Sequence, residues 1–152
     1  MALMWVPDER VMFSGDLIEY HSACYCGDAH LRAWPGTLNA IRYFDPKSVA
    51  PGRGDALNGQ NTVREALAMT RDFVTSLYGA AEMSVVKGRT LKEAFGATRE
   101  AMDNKFGSFA IYEHCLPFNV ETPFAARRHQ NYYHGWRRRQ SGRNGLPCVS
   151  GH

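Results

Sequence analysis

Apolar and polar positions along the chain change period several times, and each change marks an element. Leu3-Met4-Trp5-Val6 and Val11-Met12-Phe13 are short apolar runs suited to a pleated surface, with turn chemistry in Pro7-Asp8-Glu9-Arg10 between them. They predict a β-hairpin whose second strand runs into Ser14-Gly15-Asp16. Gly15 allows a sharp exit and leaves Asp16 at a strand end, where scaffolds commonly place functional side chains. From His30 to Phe44, Leu31, Trp34, Leu38, Ile41 and Phe44 recur every three or four residues and define one helical face. Pro35 inside that run predicts a helix that begins, or bends, at Trp34. Ser48-Val49-Ala50 predicts a short strand, and Pro51-Gly52-Arg53-Gly54 a loop whose glycines permit close backbone approach.

Two helices follow. Thr62-Val63-Arg64-Glu65 has the form of a capping box, with Val63, Leu67, Thr70, Val74, Leu77 and Ala81 as its buried stripe and Lys87-Gly88 as its end. Thr90-Leu91-Lys92-Glu93 repeats the box, and Leu91, Ala94, Phe95, Thr98 and Met102 make the next stripe before Gly107. Both stripes are read as faces that cover a sheet. Phe109 to Val120 still has the composition of folded protein, and beyond Val120 the aliphatic periodicity stops.

At 152 residues, 44% apolar and 22% charged, the chain can bury one core, and no apolar run nears the roughly 18 residues of a membrane helix. Four cysteines are too few for a disulfide scaffold of this length, so a reducing cytoplasm is the expected location. Charge is unevenly placed. Residues 121–152 hold six arginines and no lysine against the single acid Glu121, whereas residues 1–120 hold 12 basic and 14 acidic side chains. The organisation read from this is a domain over 1–120 and a basic tail over 121–152. Three readings of the tail stay open. Arginines among Tyr132, Tyr133 and Trp136 suit nucleic-acid phosphates and bases. A solvated terminus needs no partner. A frameshift is the third, since GC-rich DNA read out of frame yields Arg, Gly, Pro and Ala; arginine without lysine favours it.

Candidate chemistry is concentrated just after Asp16, in His21-Ser22-Ala23-Cys24-Tyr25-Cys26-Gly27-Asp28-Ala29-His30. These side chains include first-row metal donors, although the spacing is neither a paired Cys-x-x-Cys zinc ribbon nor a thioredoxin motif. A loop whose histidines and cysteines only pack or face water is the plain alternative. The sequence contains no Gly-x-Ser-x-Gly elbow, Walker-type loop or Gly-x-Gly-x-x-Gly fingerprint, so serine hydrolysis, NTP use and dinucleotide binding have no support.

The run from Trp5 through Ser14-Gly15-Asp16 resembles the strand–turn–strand segment of metallo-β-lactamase-fold hydrolases, which ends in a Gly-Asp. The helix, the strand at Ser48-Val49-Ala50 and the loop Pro51-Gly52-Arg53-Gly54 match that family's next elements in order, over about residues 3–58. The resemblance implies an α/β fold, the C-terminal half of an αβ/βα sandwich: hairpin, helix, strand, then two or three helices. It implies zinc, up to two ions, with Asp16 as the bridging carboxylate and His21 and His30 as further candidate ligands. Family members usually carry Pro-Gly-His-Gly in the loop, with the His as a ligand. Here that position is Arg53, which cannot ligate, and its planar fork makes it a candidate for gripping an anionic substrate group.

Most of the family's ligands come from a His-x-His-x-Asp-His motif in the first half of the fold, and this chain has no His-x-His. The expectation is therefore a fragment of a zinc-dependent hydrolase, inactive alone. Part of Trp5, Val6, Val11 and Phe13 would be left without a cover, each forfeiting roughly 1.5–3 kcal/mol of burial. Such a fragment would dock onto a complementary N-terminal half or self-associate through the exposed sheet. The alternative is a non-catalytic binding module whose basic tail contacts nucleic acid. No membrane partner is expected, and the substrate is not specified by the fold.

Overall fold

The computed structural model describes residues 2–122, 124 and 125. The basic tail, read as nucleic-acid contact, a solvated terminus or a frameshift, lies outside the described residues beyond 125. The described chain is α/β, with a four-stranded mixed sheet and four helices. In chain order these are β1 (Met4–Val6), β2 (Val11–Glu19), α1 (Trp34–Arg42), β3 (Ser48–Arg53), β4 (Leu57–Asn58), α2 (Gln60–Val86) and α3 (Leu91–Phe106). A last helix, α4, covers 112–122.

The sheet order is β1-β2-β3-β4. The predicted hairpin is present: β1 pairs antiparallel with β2, Met4 opposite Phe13 and Val6 opposite Val11. β3 lies parallel to β2, as a strand connected through a helix must be able to do, and β4 closes the sheet antiparallel to β3. α1 begins at Trp34 with Pro35 in its first turn, as the sequence predicts. The Trp34 indole N–H donates to the Leu17 carbonyl at 3.1 Å and ties α1 to β2.

Three local expectations are corrected and one short strand is added. β2 does not end at Asp16 but runs on to Glu19, because Gly15, at φ 49°, takes up an irregularity in the β2–β3 register and lets pairing resume. Asp16 is therefore a mid-strand residue. The segment Pro51-Gly52-Arg53 is strand, not loop, and the turn falls at Gly54 (φ 93°). The two-residue β4 carries too short a pattern to be seen in sequence. Finally, α2 starts at Gln60 behind Gly59 (φ 91°), without a side-chain cap, so Thr62 lies inside the helix and its capping box does not form. The chain must reverse straight after Asn58 pairs with Ser48, and a glycine at positive φ makes that reversal.

The helical stripes are otherwise as predicted. Val63, Leu67, Thr70, Val74, Leu77 and Ala81 of α2 are all buried, as are Ala94, Thr98 and Met102 of α3. Leu91 and Phe44 remain exposed, Phe44 packing edge-on against Trp5. On the sheet, Met12, Val49 and Leu57 are buried in the core. The opposite face is not: Met4 is 56% and Phe13 44% exposed, with Val6, Val11 and Ala50 partly covered. Sheets with a parallel pair are usually covered on both faces. This one has an apolar face left open among the described residues.

The Thr90 box does form: the hydroxyl accepts from the Glu93 N–H while the Glu93 carboxylate accepts from the Thr90 N–H. Thr90→Ala is therefore expected to cost about 1 kcal/mol in urea unfolding, whereas Thr62→Ala, which removes no cap, is expected to cost less than about 0.5 kcal/mol.

Candidate functional site

The site is built where β2 and β3 run side by side past the bulge. Arg53 closes β3, and its Nη1 donates to Glu19 Oε1 at 2.6 Å and lies 3.5 Å from Asp16 Oδ1. Both acids come from β2, three residues apart, and the bulge region lets both reach one guanidinium. Their surroundings differ. The Asp16 side chain is 51% exposed, the Arg53 side chain 37%, and the Glu19 side chain is fully buried.

Two glycines make this approach possible. A Cβ at Gly52 would fall 2.5 Å from Asp16 Oδ1 and 2.8 Å from the Asp16 amide nitrogen. One at Gly54 would fall 2.2 Å from the Tyr20 carbonyl oxygen. The glycines on either side of Arg53 thus let β3 lie against β2 at Asp16 and Tyr20, while Tyr20 N–H donates to the Arg53 carbonyl at 3.2 Å. This is the physical content of the Pro-Gly-Arg-Gly segment.

Glu19 is held from α2 as well. Its N–H donates to Thr70 Oγ1 at 3.1 Å, and the Thr70 hydroxyl donates back to the Glu19 carbonyl at 3.0 Å. Its carboxylate has less help. Among the described residues, Oε2 has no hydrogen-bond partner. Burial pushes the carboxyl up to about 7, with Arg53 opposing the rise and Asp16 adding to it.

Beyond β2 the chain turns at His21, whose backbone is left-handed (φ 51°), a conformation uncommon for a residue with a side chain. His21 is fixed by Ala110, which donates from its N–H to the His21 carbonyl at 3.0 Å, while the Ala110 carbonyl accepts from Ala23. The His21 ring stacks edge-on with Tyr20 and Phe109. A cavity of about 250 Å³ opens here, lined by Tyr20, His21, Ser22, Arg53, Asp55 and Ile111 among others.

The three cysteines among the described residues belong to the core. Cys24, Cys26 and Cys115 are free and buried, and burial pushes each thiol up, away from the reactive thiolate. Asn119 of α4 clamps the Cys24–Cys26 segment, donating to the Cys24 carbonyl and accepting from the Cys26 N–H, both at 2.7 Å.

The residues singled out from sequence are thus partly brought together. Asp16 and Arg53 meet directly, and His21 lines a cavity with Arg53. His30 lines a different cavity, beside Asp28, Leu17 and Trp34. Among the described residues no three His, Cys, Asp or Glu side chains converge as a metal-binding group. Asp16, His21 and His30 therefore do not fit zinc as this chain's own ligand set. Arg53 is engaged in part: its Nη1 donates to Glu19, while the side chain stays 37% exposed beside the cavity. Glu19, the most constrained member, was not singled out in the sequence; the signal was a second acid three residues beyond Asp16 on the far side of a strand glycine. No family model matches the sequence and no curated protein is matched by it.

Two outcomes are expected. Because the Glu19 carboxyl lies above its unfolded value, it binds a proton in the folded state over a window where the unfolded chain has lost it. Its contribution is thus full below about pH 4.5 and is lost as pH rises through about 7. The unfolding free energy of the wild type from urea titrations should fall between pH 5 and 8 by about 2–3 kcal/mol relative to Glu19→Gln, whose profile stays flatter. Gly52→Ala should push β3 away from Asp16 and lower the melting temperature by several degrees, roughly 1–3 kcal/mol, more than Gly36→Ala, where an added Cβ meets nothing within 4 Å.

Proposed function

We propose that this chain supplies the second half of a metallo-β-lactamase-type αβ/βα sandwich, a zinc-dependent hydrolase that is inactive without the His-x-His-x-Asp-His half. One observation carries the reading. The Gly-Asp strand and the Pro-Gly-x-Gly segment, matched to that family only as separate stretches of sequence, are neighbouring parallel strands. They bring the Arg53 guanidinium Nη1 within 3.5 Å of the Asp16 carboxylate. Positions that would share a metal ion in the family are in contact here.

Supporting this, the half-exposed Met4 and Phe13, with Val6, Val11 and Ala50, form the open face on which a second sheet would pack. Zinc, when bound in the completed fold, would polarise a scissile carbonyl or phosphoryl oxygen and supply hydroxide. Asp16 is the residue of this chain that would reach it. The donors present do not hold the ion alone, so no hydrolytic step is assigned to the isolated chain. Without the complementary half, the same face is the route to self-association. Three buried reduced thiols suit a reducing cytoplasm, and none of the helices among the described residues is long and apolar enough to cross a membrane.

A second reading, a non-catalytic binding module whose basic tail contacts nucleic acid, is supported by the Glu19–Arg53 pair, which puts a cation where the resembled family carries a metal-ligating His. The test that separates them is co-expression with a polypeptide encoded upstream of this reading frame. The hydrolase reading expects that polypeptide to carry His-x-His-x-Asp-His and to form a 1:1 complex that retains zinc. The zinc is lost on Asp16→Ala, and the complex is weakened at least tenfold by Met4→Lys with Phe13→Lys. An upstream region without that motif, or a metal-free complex, contradicts it.

A further inference from the structure

The charge balance around Arg53 has a chemical consequence of its own. A carboxylate as deeply buried as Glu19 is unstable as an isolated charge, and a second carboxylate nearby worsens its position. In a metal centre a divalent ion would neutralise such a pair. Here the neutralising group is a side chain of the same chain, with one nitrogen 2.6 Å from Glu19 and 3.5 Å from Asp16.

The flanking residues are shaped for that arrangement. Gly52 clears the space beside Asp16 Oδ1, and Gly54 clears the space beside Tyr20. Arg53, with its side chain on the β2 carboxylates, is the one residue of the three that keeps a Cβ. A guanidinium cannot lose its proton in proteins, so the charge it supplies does not vary with pH or with metal supply. It also offers planar N–H donors where an ion would offer open coordination positions.

We infer that the guanidinium of Arg53 is a built-in cation for the Asp16–Glu19 pair, standing where a divalent ion would otherwise bridge β2 and β3. The pair in this chain accordingly recruits no metal ion of its own. Arg53 is a positioning and charge-neutralising residue rather than a catalytic one. The inference does not depend on a complementary half, since its test uses the chain alone.

The test compares thermal unfolding of the full chain with and without 1 mM zinc. Wild type is expected to be unchanged within about 1 °C. Arg53→Met should lose several degrees, and the double variant Glu19→Gln/Arg53→Met should recover most of that loss, because removing both charged partners leaves no stranded carboxylate. Arg53→His, which returns the position to an imidazole, should gain a zinc-dependent rise of several degrees that disappears when Asp16→Ala is added. Zinc stabilisation of the wild type that depends on Asp16 overturns the inference. So does an Arg53→Met loss that Glu19→Gln leaves untouched, or an Arg53→His protein indifferent to zinc. If Arg53→Met alone fails to fold, a folded double variant supports the inference and an unfolded one overturns it.

Discussion

A buried carboxylate and the arginine that reaches it hold the two central strands of this sheet in one register. Glu19 is at the end of β2 and Arg53 at the end of β3, so their 2.6 Å contact closes the parallel pair at the end farthest from the hairpin. Removing one partner of such a pair typically costs about 3–5 kcal/mol when both are buried, and less here because Arg53 is partly exposed. The contact forms only because β2 bulges at Gly15 and β3 carries glycine on both sides of Arg53. Strand geometry, glycine placement and charge pairing are therefore one constraint expressed three ways.

The helices serve that constraint from behind. Thr70, on an otherwise apolar stripe of α2, uses its single hydroxyl as both donor and acceptor to the Glu19 backbone, so the strand end is satisfied where water cannot reach. Asn119 does the equivalent for the segment after β2, fixing Cys24 and Cys26 against α4. Ala110 pins His21 and Ala23 from the loop between α3 and α4. The result is a framed cavity beside Arg53 with rigid walls on the β2 side, and a sheet whose other face presents Met4 and Phe13.

Much of the scaffold was legible in sequence for reasons that are local. The hairpin declares itself through two apolar runs around Pro7-Asp8-Glu9-Arg10, α1 through Pro35 in its first turn, and α3 through a capping box that the structure confirms. Thr62 shows the limit of such signals: it has the box pattern, yet β4 and Gly59 start the helix three residues earlier. The site was legible only in part, because it depends on register. Asp16 and Arg53 were visible as chemistry-bearing residues beside glycines, but nothing local says that β2 and β3 pair in parallel. Glu19 was hidden by the continuation of β2 past Gly15. His30 was visible as a donor, yet it lines a cavity apart from His21 and Arg53.

Anomalous diffraction from crystals of the intact chain grown with zinc tests the central claim most directly. The account predicts the Arg53 guanidinium within hydrogen-bonding distance of Glu19 and no zinc density on Asp16. A zinc peak on the Asp16 carboxylate, with Arg53 swung away from Glu19, would contradict it.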